Sequence, residues 1–241
     1  MSKGAVWLAR KGSKRRRIRR ATTVLHTGDI LEFYYDAELL RIKPPMAECL
    51  DDQKRYSIWL KPAGLMAQGN AYGDHCALLR QVENHFHPRR PVFLVHRLDR
   101  EAAGLMIIAH DSESAARLSA LFRDHRIAKH YRVQVRGKML QLRGEIDIPL
   151  DGRPALTRYE VIEYDPDRDI STLDIDIVTG RRHQIRRHFD AVGHAVMGDP
   201  RYGKGNKNSD GLQLEATKLS FRCPYTGRQM TYVSHDIFKK V

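Results

Sequence analysis

An α+β fold, with one large mixed or antiparallel sheet flanked by helices and a small basic β-rich N-terminal appendage, is what this 241-residue sequence predicts. Three observations lead there. Stretches with strand character outnumber helical ones, and the two rarely alternate one for one, which argues against a doubly wound parallel sheet. Several of the strands show period-two alternation, as a half-buried sheet requires. The first 38 residues also differ in texture from the rest, with nine of the first twenty basic.

In chain order, Gly4–Leu8 and Ile30–Tyr35 are expected strands, the second opened by the turn Thr27-Gly28-Asp29. The arginine run from Arg15 to Arg20 is either part of this appendage or a solvated, disordered tail. Pro44-Pro45 marks a linker, because two prolines cannot continue a helix. The division is therefore 1–45 for the basic segment and 46–241 for the main domain. Tyr56–Leu60 reads as a strand running into the turn Lys61-Pro62-Ala63-Gly64. A helix is expected over His75–Phe86, with Leu78, Leu79, Val82 and Phe86 on one stripe. The apolar runs Val92–Val95 and Gly104–Ala109 read as buried strands. Asp111 or Ser112 caps a helix bearing Leu118, Leu121, Phe122 and His125. Tyr131, Val133 and Val135 alternate with polar residues, as do Leu173, Ile175 and Ile177, and Tyr159–Tyr164 is a further strand. Gly180 turns the chain into a helix over Arg182–Val192, closed by Gly193. Ala216–Arg222 and Gln229–Val233 finish as short strands.

Forty-two Lys and Arg against 29 Asp and Glu leave a net charge of +13. A surplus beyond what solubility needs favours a polyanionic partner, nucleic acid first. No apolar run approaches the ~20 residues of a membrane span, and no secretory h-region opens the chain, so a soluble protein is expected. Three widely spaced cysteines without a C-x-x-C pair point to neither a zinc site nor a disulfide framework and fit a reducing cytoplasm. The histidines offer no metal-ligand spacing, so no metal is expected.

Two poles carry the candidate chemistry. In Val95-His96-Arg97-Leu98-Asp99-Arg100-Glu101, charge arrives abruptly at the end of an apolar run, and Asp99 stands between two arginines that favour its anion. In Gly180–His188, cationic and imidazole side chains crowd one helix start, an arrangement suited to phosphate. At 100° per residue, Arg182 and Arg186 fall on one flank while His183 and Arg187 point away.

These poles belong to an ordered series: Lys61-Pro62-Ala63-Gly64-Leu65, His96-Arg97-Leu98-Asp99 with Gly104, Lys129-His130-Tyr131, Gly180–Arg186, and Gly198-Asp199-Pro200-Arg201-Tyr202-Gly203. In this order, over roughly residues 56 to 235, they closely resemble the RluA-type pseudouridine synthases. The resemblance implies the pseudouridine synthase fold and the isomerisation of uridine in structured RNA, ribosomal or transfer, without a cofactor. It implies Asp99 as the catalytic carboxylate and Arg186 as its ion-pair partner. Arg97 would fill the space left by a flipped uridine. Tyr131 would stack on the loosened uracil, its phenol a candidate for proton transfer at carbon 5. Ile185 would pack beneath the site, and Lys61, Lys129, Arg181, Arg182 and His183 would meet RNA. Two departures from the family pattern stand out: Ala102-Ala103 replaces Thr-Ser, and residues 4 to 36 match only the strand-rich end of an S4 RNA-binding domain. A monomer is the default expectation.

Two other readings fit part of the sequence. One is a non-catalytic basic RNA-binding or ribosome-assembly protein on the same scaffold, which has no need of the costly trio Asp99, Tyr131 and Arg186. The other is a glycoside or nucleoside hydrolase pairing Asp99 with Glu101. Hydrolases, however, set their two carboxylates apart across the scissile bond.

Overall fold

The computed structural model describes residues 1–234; the end of the predicted main domain, 235–241, lies outside the described residues. Its first unit is a three-stranded antiparallel sheet, β1 (Val6–Ala9), β2 (Arg16–Ile18) and β3 (Ile30–Phe33), in the order β2-β1-β3. Val6, Leu8 and Ile18 form its small core. The arginine run is thus no disordered tail. Arg15 and Arg17 hold their guanidinium groups 4.6 and 4.5 Å from the Trp7 ring centre, and cation–π attraction turns a repulsive run into a strand that can pair. The short helix α1 (Ala37–Arg41), capped by Asp36 and ended before the two prolines, had no clear sequence signal.

The rest of the described chain builds a ten-stranded sheet. Its elements are β4 (Glu48–Asp52), β5 (Tyr56–Lys61), α2 (Leu78–His85), β6 (Phe93–Leu94), β7 (Ala103–Ala109), α3 (Ser112–Arg123), β8 (Ile127–Arg136), β9 (Arg143–Asp147), β10 (Leu156–Asp165), β11 (Ile170–Ile177), α4 (Gln184–Ala191), β12 (Leu214–Arg222) and β13 (Gln229–Val233). The strand order is β4-β5-β7-β12-β8-β11-β10-β9, with β13 beside β12 and β6 beside β7. Among the described strands only β7 and β12 pair in parallel, so the sheet is mixed, as expected.

Helices cover both faces. Leu105 and Ile107 of β7 pack with Leu118 and Leu121 of α3, while Met106 and Ile108 pack with Leu78 and Val82 of α2. This two-sided burial explains why β7 is apolar throughout instead of alternating. Farther along, Ile185 and Phe189 of α4 seat against Val133, Leu173 and Ile175. Burying a ring such as that of Phe189 is worth about 1.5–3 kcal/mol.

Two sequence expectations need correction. Val92–Val95 is not a buried strand: only Phe93 and Leu94 pair, at the edge of β7, and all four residues stay half-buried. The helix expected over Arg182–Val192 also starts two residues late, as α4, because His183 sits in the left-handed region at φ +53°. The Gln184 side chain accepts from the Arg181 amide (3.0 Å) and the Thr179 hydroxyl (2.7 Å), closing a turn where the periodicity suggested helix. In consequence Arg186 is buried and not beside the exposed Arg182, and His183 turns inward instead of away.

Candidate active site

The register of the central strands places the site. Gly104, at the start of β7, pairs with Ala216 of β12, which pairs with Tyr131 of β8. Two strand spacings, roughly 10 Å, therefore separate Gly104, just after the loop bearing Asp99, from the tyrosine. The close approach demands glycine. A Cβ at residue 104, whose φ is +119°, would lie 2.4 Å from both the amide nitrogen and the carbonyl oxygen of Ala216.

Between loop and tyrosine lies a small pit of about 80 Å³, lined by Arg97, Asp99, Tyr131, His183, Ile185 and Arg186 among others. It shares Arg97, Asp99, Tyr131, Arg181 and His183 with a groove of about 700 Å³, whose further lining includes Phe122, Arg123, Lys129 and Arg182.

The floor of the pit is an ion-pair chain. Arg186, 2% exposed, donates from Nη1 to Asp99 Oδ2 at 2.9 Å. Its other edge is held in a fork by Asp199, with Nε to Oδ2 at 2.7 Å and Nη2 to Oδ1 at 2.8 Å. Asp199 is itself fully buried and accepts from the amides of Arg201 (2.8 Å) and Tyr202 (3.0 Å). Burial works against the Arg186 charge, but hydrogen bonds to Asp199 and Asp99 outweigh it and hold the guanidinium firmly protonated. For Asp199, burial pushes the carboxyl up, and the Arg186 and backbone hydrogen bonds more than reverse this, so it stays ionised. A buried guanidinium with two carboxylates and well-formed geometry is a rigid anchor.

His183 completes the wall, with Nε2 3.6 Å from Asp99 Oδ1 and Nδ1 3.0 Å from the Tyr202 hydroxyl. Burial, with Arg186, Arg182 and Arg201 nearby, lowers its affinity for a proton despite Asp99, so the ring is neutral at pH 7. The tautomer that suits both neighbours carries its proton on Nε2, facing Asp99. On the opposite wall, burial and the Asp99 charge push the Tyr131 phenol well up, so it stays un-ionised.

Of the residues expected to meet substrate, the structure brings Asp99, Tyr131, Arg186, Arg97, Arg181, His183 and Ile185 to the pit, and Lys129 and Arg182 to the groove. Lys61 is a correction. It is fully buried, and its Nζ donates to the carbonyls of Ala102 (2.6 Å), Leu65 (2.8 Å) and Pro62 (3.0 Å), with that of Arg100 at 3.4 Å. An ammonium enclosed by backbone oxygens has no donor left for RNA; it clamps the loop on either side of Glu101. Burial lowers its pKa to about 8, against the pull of Asp99 and Glu101. In the sequence Asp199 stands out only as part of the Gly198–Gly203 motif. The missed signal was an acid in that motif able to satisfy an arginine whose charge needed burial. Glu101 comes within 3.7 Å of Arg186 Nη1, so Asp99 and Glu101 converge on one guanidinium and do not face each other across a cleft.

No group of three or more His, Cys, Asp or Glu among the described residues could hold a metal ion. Nor is any described helix long and apolar enough to cross a membrane.

A mixed sheet with a buried Arg–Asp floor beside a tyrosine, opening into a groove rich in basic residues, defines an α+β protein with a carboxylate–guanidinium site. A family model for RNA pseudouridylate synthases matches residues 55–191, and the chain belongs to that family, in its RluA type. It is 34% identical over 164 residues to the ribosomal large subunit pseudouridine synthase D of Zymomonas mobilis, covering 58% of this chain and 51% of that protein. The chain thus spans about half the length of that relative. To the dual-specificity RNA pseudouridine synthase RluA of Vibrio parahaemolyticus it is 30% identical over 185 residues, 68% of this chain and 73% of that one. The solved structure of human RNA pseudouridylate synthase domain containing 1 shares the fold, with a TM-score of 0.68 at 21% identity over 81% of this chain and 86% of that chain.

Proposed function

We propose that this chain is an RNA pseudouridine synthase, an isomerase acting on uridines of structured ribosomal or transfer RNA, with Asp99 as the catalytic carboxylate. The observation that carries the reading is the Asp99–Arg186 pair at 2.9 Å on the floor of a small pit that opens into the basic groove. The reaction is internally balanced. The bond from uracil N1 to ribose C1′ breaks, the ring turns, and C5 joins C1′ while its proton leaves and N1 takes one up. Cleavage leaves positive charge at C1′, where a fixed carboxylate stabilises it or adds to it. Arg186, anchored by Asp199, keeps Asp99 oriented. Tyr131, as a neutral phenol, offers an aromatic face on which the freed ring can rotate; its state favours stacking over acting as a phenolate base. Arg97, exposed at the mouth, can enter the stack where the uridine departs. The basic groove supports the flanking phosphates. We further propose that the enzyme is cytoplasmic, needs no cofactor and acts as a monomer.

The test is incubation of the chain with RNA tritiated at uridine C5. Tritium passing to water without free uracil is the expected result. Free uracil would indicate the hydrolase, and retention of tritium with RNA bound would indicate the non-catalytic RNA-binding protein.

A further inference from the structure

Three parts of Tyr202 meet the floor and wall of the pit. Its amide donates to Asp199 Oδ1 at 3.0 Å, its ring centre lies 5.2 Å from the Arg186 guanidinium carbon, and its hydroxyl is 3.0 Å from His183 Nδ1. The residue is itself held, because its carbonyl accepts from Asn206 Nδ2 (3.1 Å) and Lys207 Nζ (2.9 Å). His183 is fixed as well. A non-glycine residue keeps a left-handed backbone only where its surroundings impose it, and here that backbone turns the imidazole inward. The His183 carbonyl accepts from the Arg187 amide at 2.9 Å, and the ring stands edge-on to Tyr202 at 80°.

With Nδ1 taken by the Tyr202 hydroxyl, the ring presents only Nε2 to the pit. That nitrogen carries the proton and lies 3.6 Å from Asp99 Oδ1, beyond hydrogen-bond length. It has no hydrogen-bond acceptor among the described residues. An N–H held rigidly beside the catalytic carboxylate and left without an acceptor is aimed at whatever enters.

We propose that the His183 Nε2–H holds the uracil ring by its carbonyl oxygens on both sides of the reaction, O2 before the ring turns and O4 after it, with Tyr202 as the residue that positions it. The inference rests on the synthase reading and adds how that site recognises its base. O2 is bonded to C2, the neighbour of N1, so it lies beside C1′ while the glycosidic bond stands. A half-turn about the N3–C6 axis exchanges N1 with C5 and C2 with C4, which brings O4 to the place that O2 had occupied. Because Asp99 acts at C1′, a donor beside Asp99 meets first one oxygen and then the other. Between the two, the detached ring carries negative charge shared by N1, O2 and O4, and a fixed N–H stabilises that charge more than it does bound uridine. The Nε2–H bond stays intact throughout, so no proton is exchanged with the ring. Selectivity follows from the same donor. Cytosine bears an amino group at C4, so its turned ring would set N–H against N–H with neither satisfied.

The test measures tritium release by the full chain, as kcat and KM, from ribosomal and transfer RNA transcribed with C5-tritiated uridine or C5-tritiated 2-thiouridine. His183→Phe keeps a ring without the donor and should lose about a hundredfold to a thousandfold in kcat, the range for one removed oxyanion donor, with KM little changed. His183→Gln supplies an amide N–H and should recover part of that loss. Tyr202→Phe keeps the ring and the amide but frees the imidazole to exchange tautomers, and should lose about fivefold in kcat, the worth of one neutral hydrogen bond. Sulfur is a weak acceptor, so 2-thiouridine should slow the unaltered chain, and should slow His183→Phe by a smaller factor, since both changes remove the same contact. Unchanged kcat in His183→Phe, or two losses that simply multiply, overturns the proposal. Should His183→Phe not fold, the same comparison of uridine with 2-thiouridine in Tyr202→Phe decides, and losses that multiply there overturn it. Absence of tritium release by the unaltered chain sinks the synthase reading itself. That result is distinct from failure of this proposal, in which the unaltered chain turns over and His183→Phe keeps pace with it.

Discussion

Asp199→Asn probes the anchor without touching the reacting atoms. The change keeps the shape of a fully buried side chain but turns half of an acceptor fork into a donor facing Arg186. A buried guanidinium then keeps only Asp99 and the more distant Glu101 as acidic partners. Removing one partner of a buried pair costs about 3–5 kcal/mol. At about 2–4 °C per kcal/mol for a chain of this size, the melting temperature should fall by roughly 6 to 20 °C. Tritium release should drop about a hundredfold in kcat, the effect of displacing a catalytic group by ~1 Å, with little change in KM. The pH dependence has a definite sign. The folded Asp199 holds its proton less tightly than an unfolded carboxyl, so its contribution is present above the unfolded value near ~3.9 and lost as pH falls below it. The melting gap between the two proteins should therefore narrow below about pH 4. Equal melting temperatures together with kcat within twofold would refute the anchoring argument.

Three further outcomes follow from the geometry. Lys61 is held near 8 when folded against ~10.4 unfolded, so the unfolded chain binds more protons in that window and stability should rise with pH there by about 3 kcal/mol. Chemical denaturation of Lys61→Met between pH 8 and 10.5 should lack that rise, and an identical rise would refute the assignment. Gly104→Ala drives a methyl into the Ala216 backbone at a positive φ and should cost at least ~3 kcal/mol by denaturant melt, whereas a loss under 1 kcal/mol would contradict the close approach. Arg182→Gln, at an exposed position lining the groove, should raise KM for structured RNA several-fold and leave the melting temperature within about 1 °C; an unchanged KM would remove Arg182 from the RNA path.

The poles of the site were legible because an ordered series of motifs resembles that of a known family: an acid in the loop after an apolar run, a tyrosine on a strand and an arginine on a helix. Burial was not. Lys61 stands in a turn-like stretch, and only the converging carbonyls of residues 62, 65 and 102 reveal an internal clamp. Helical periodicity ran on through Arg182 and His183, since nothing in the sequence signals that the Gln184 side chain closes a turn ahead of the helix. The arginine run concealed β2 because its pairing depends on Trp7 and Asp74, the latter more than fifty residues away. β4 and β9 escaped notice for a related reason: both carry charged residues and owe their form to the strand beside them.

The most direct measurement is tritium release from C5-labelled uridine RNA by Asp99→Asn, made alongside its affinity for the same RNA. Loss of release with RNA affinity and fold retained is the expected result. Continued turnover at the unaltered rate would contradict the account at its root.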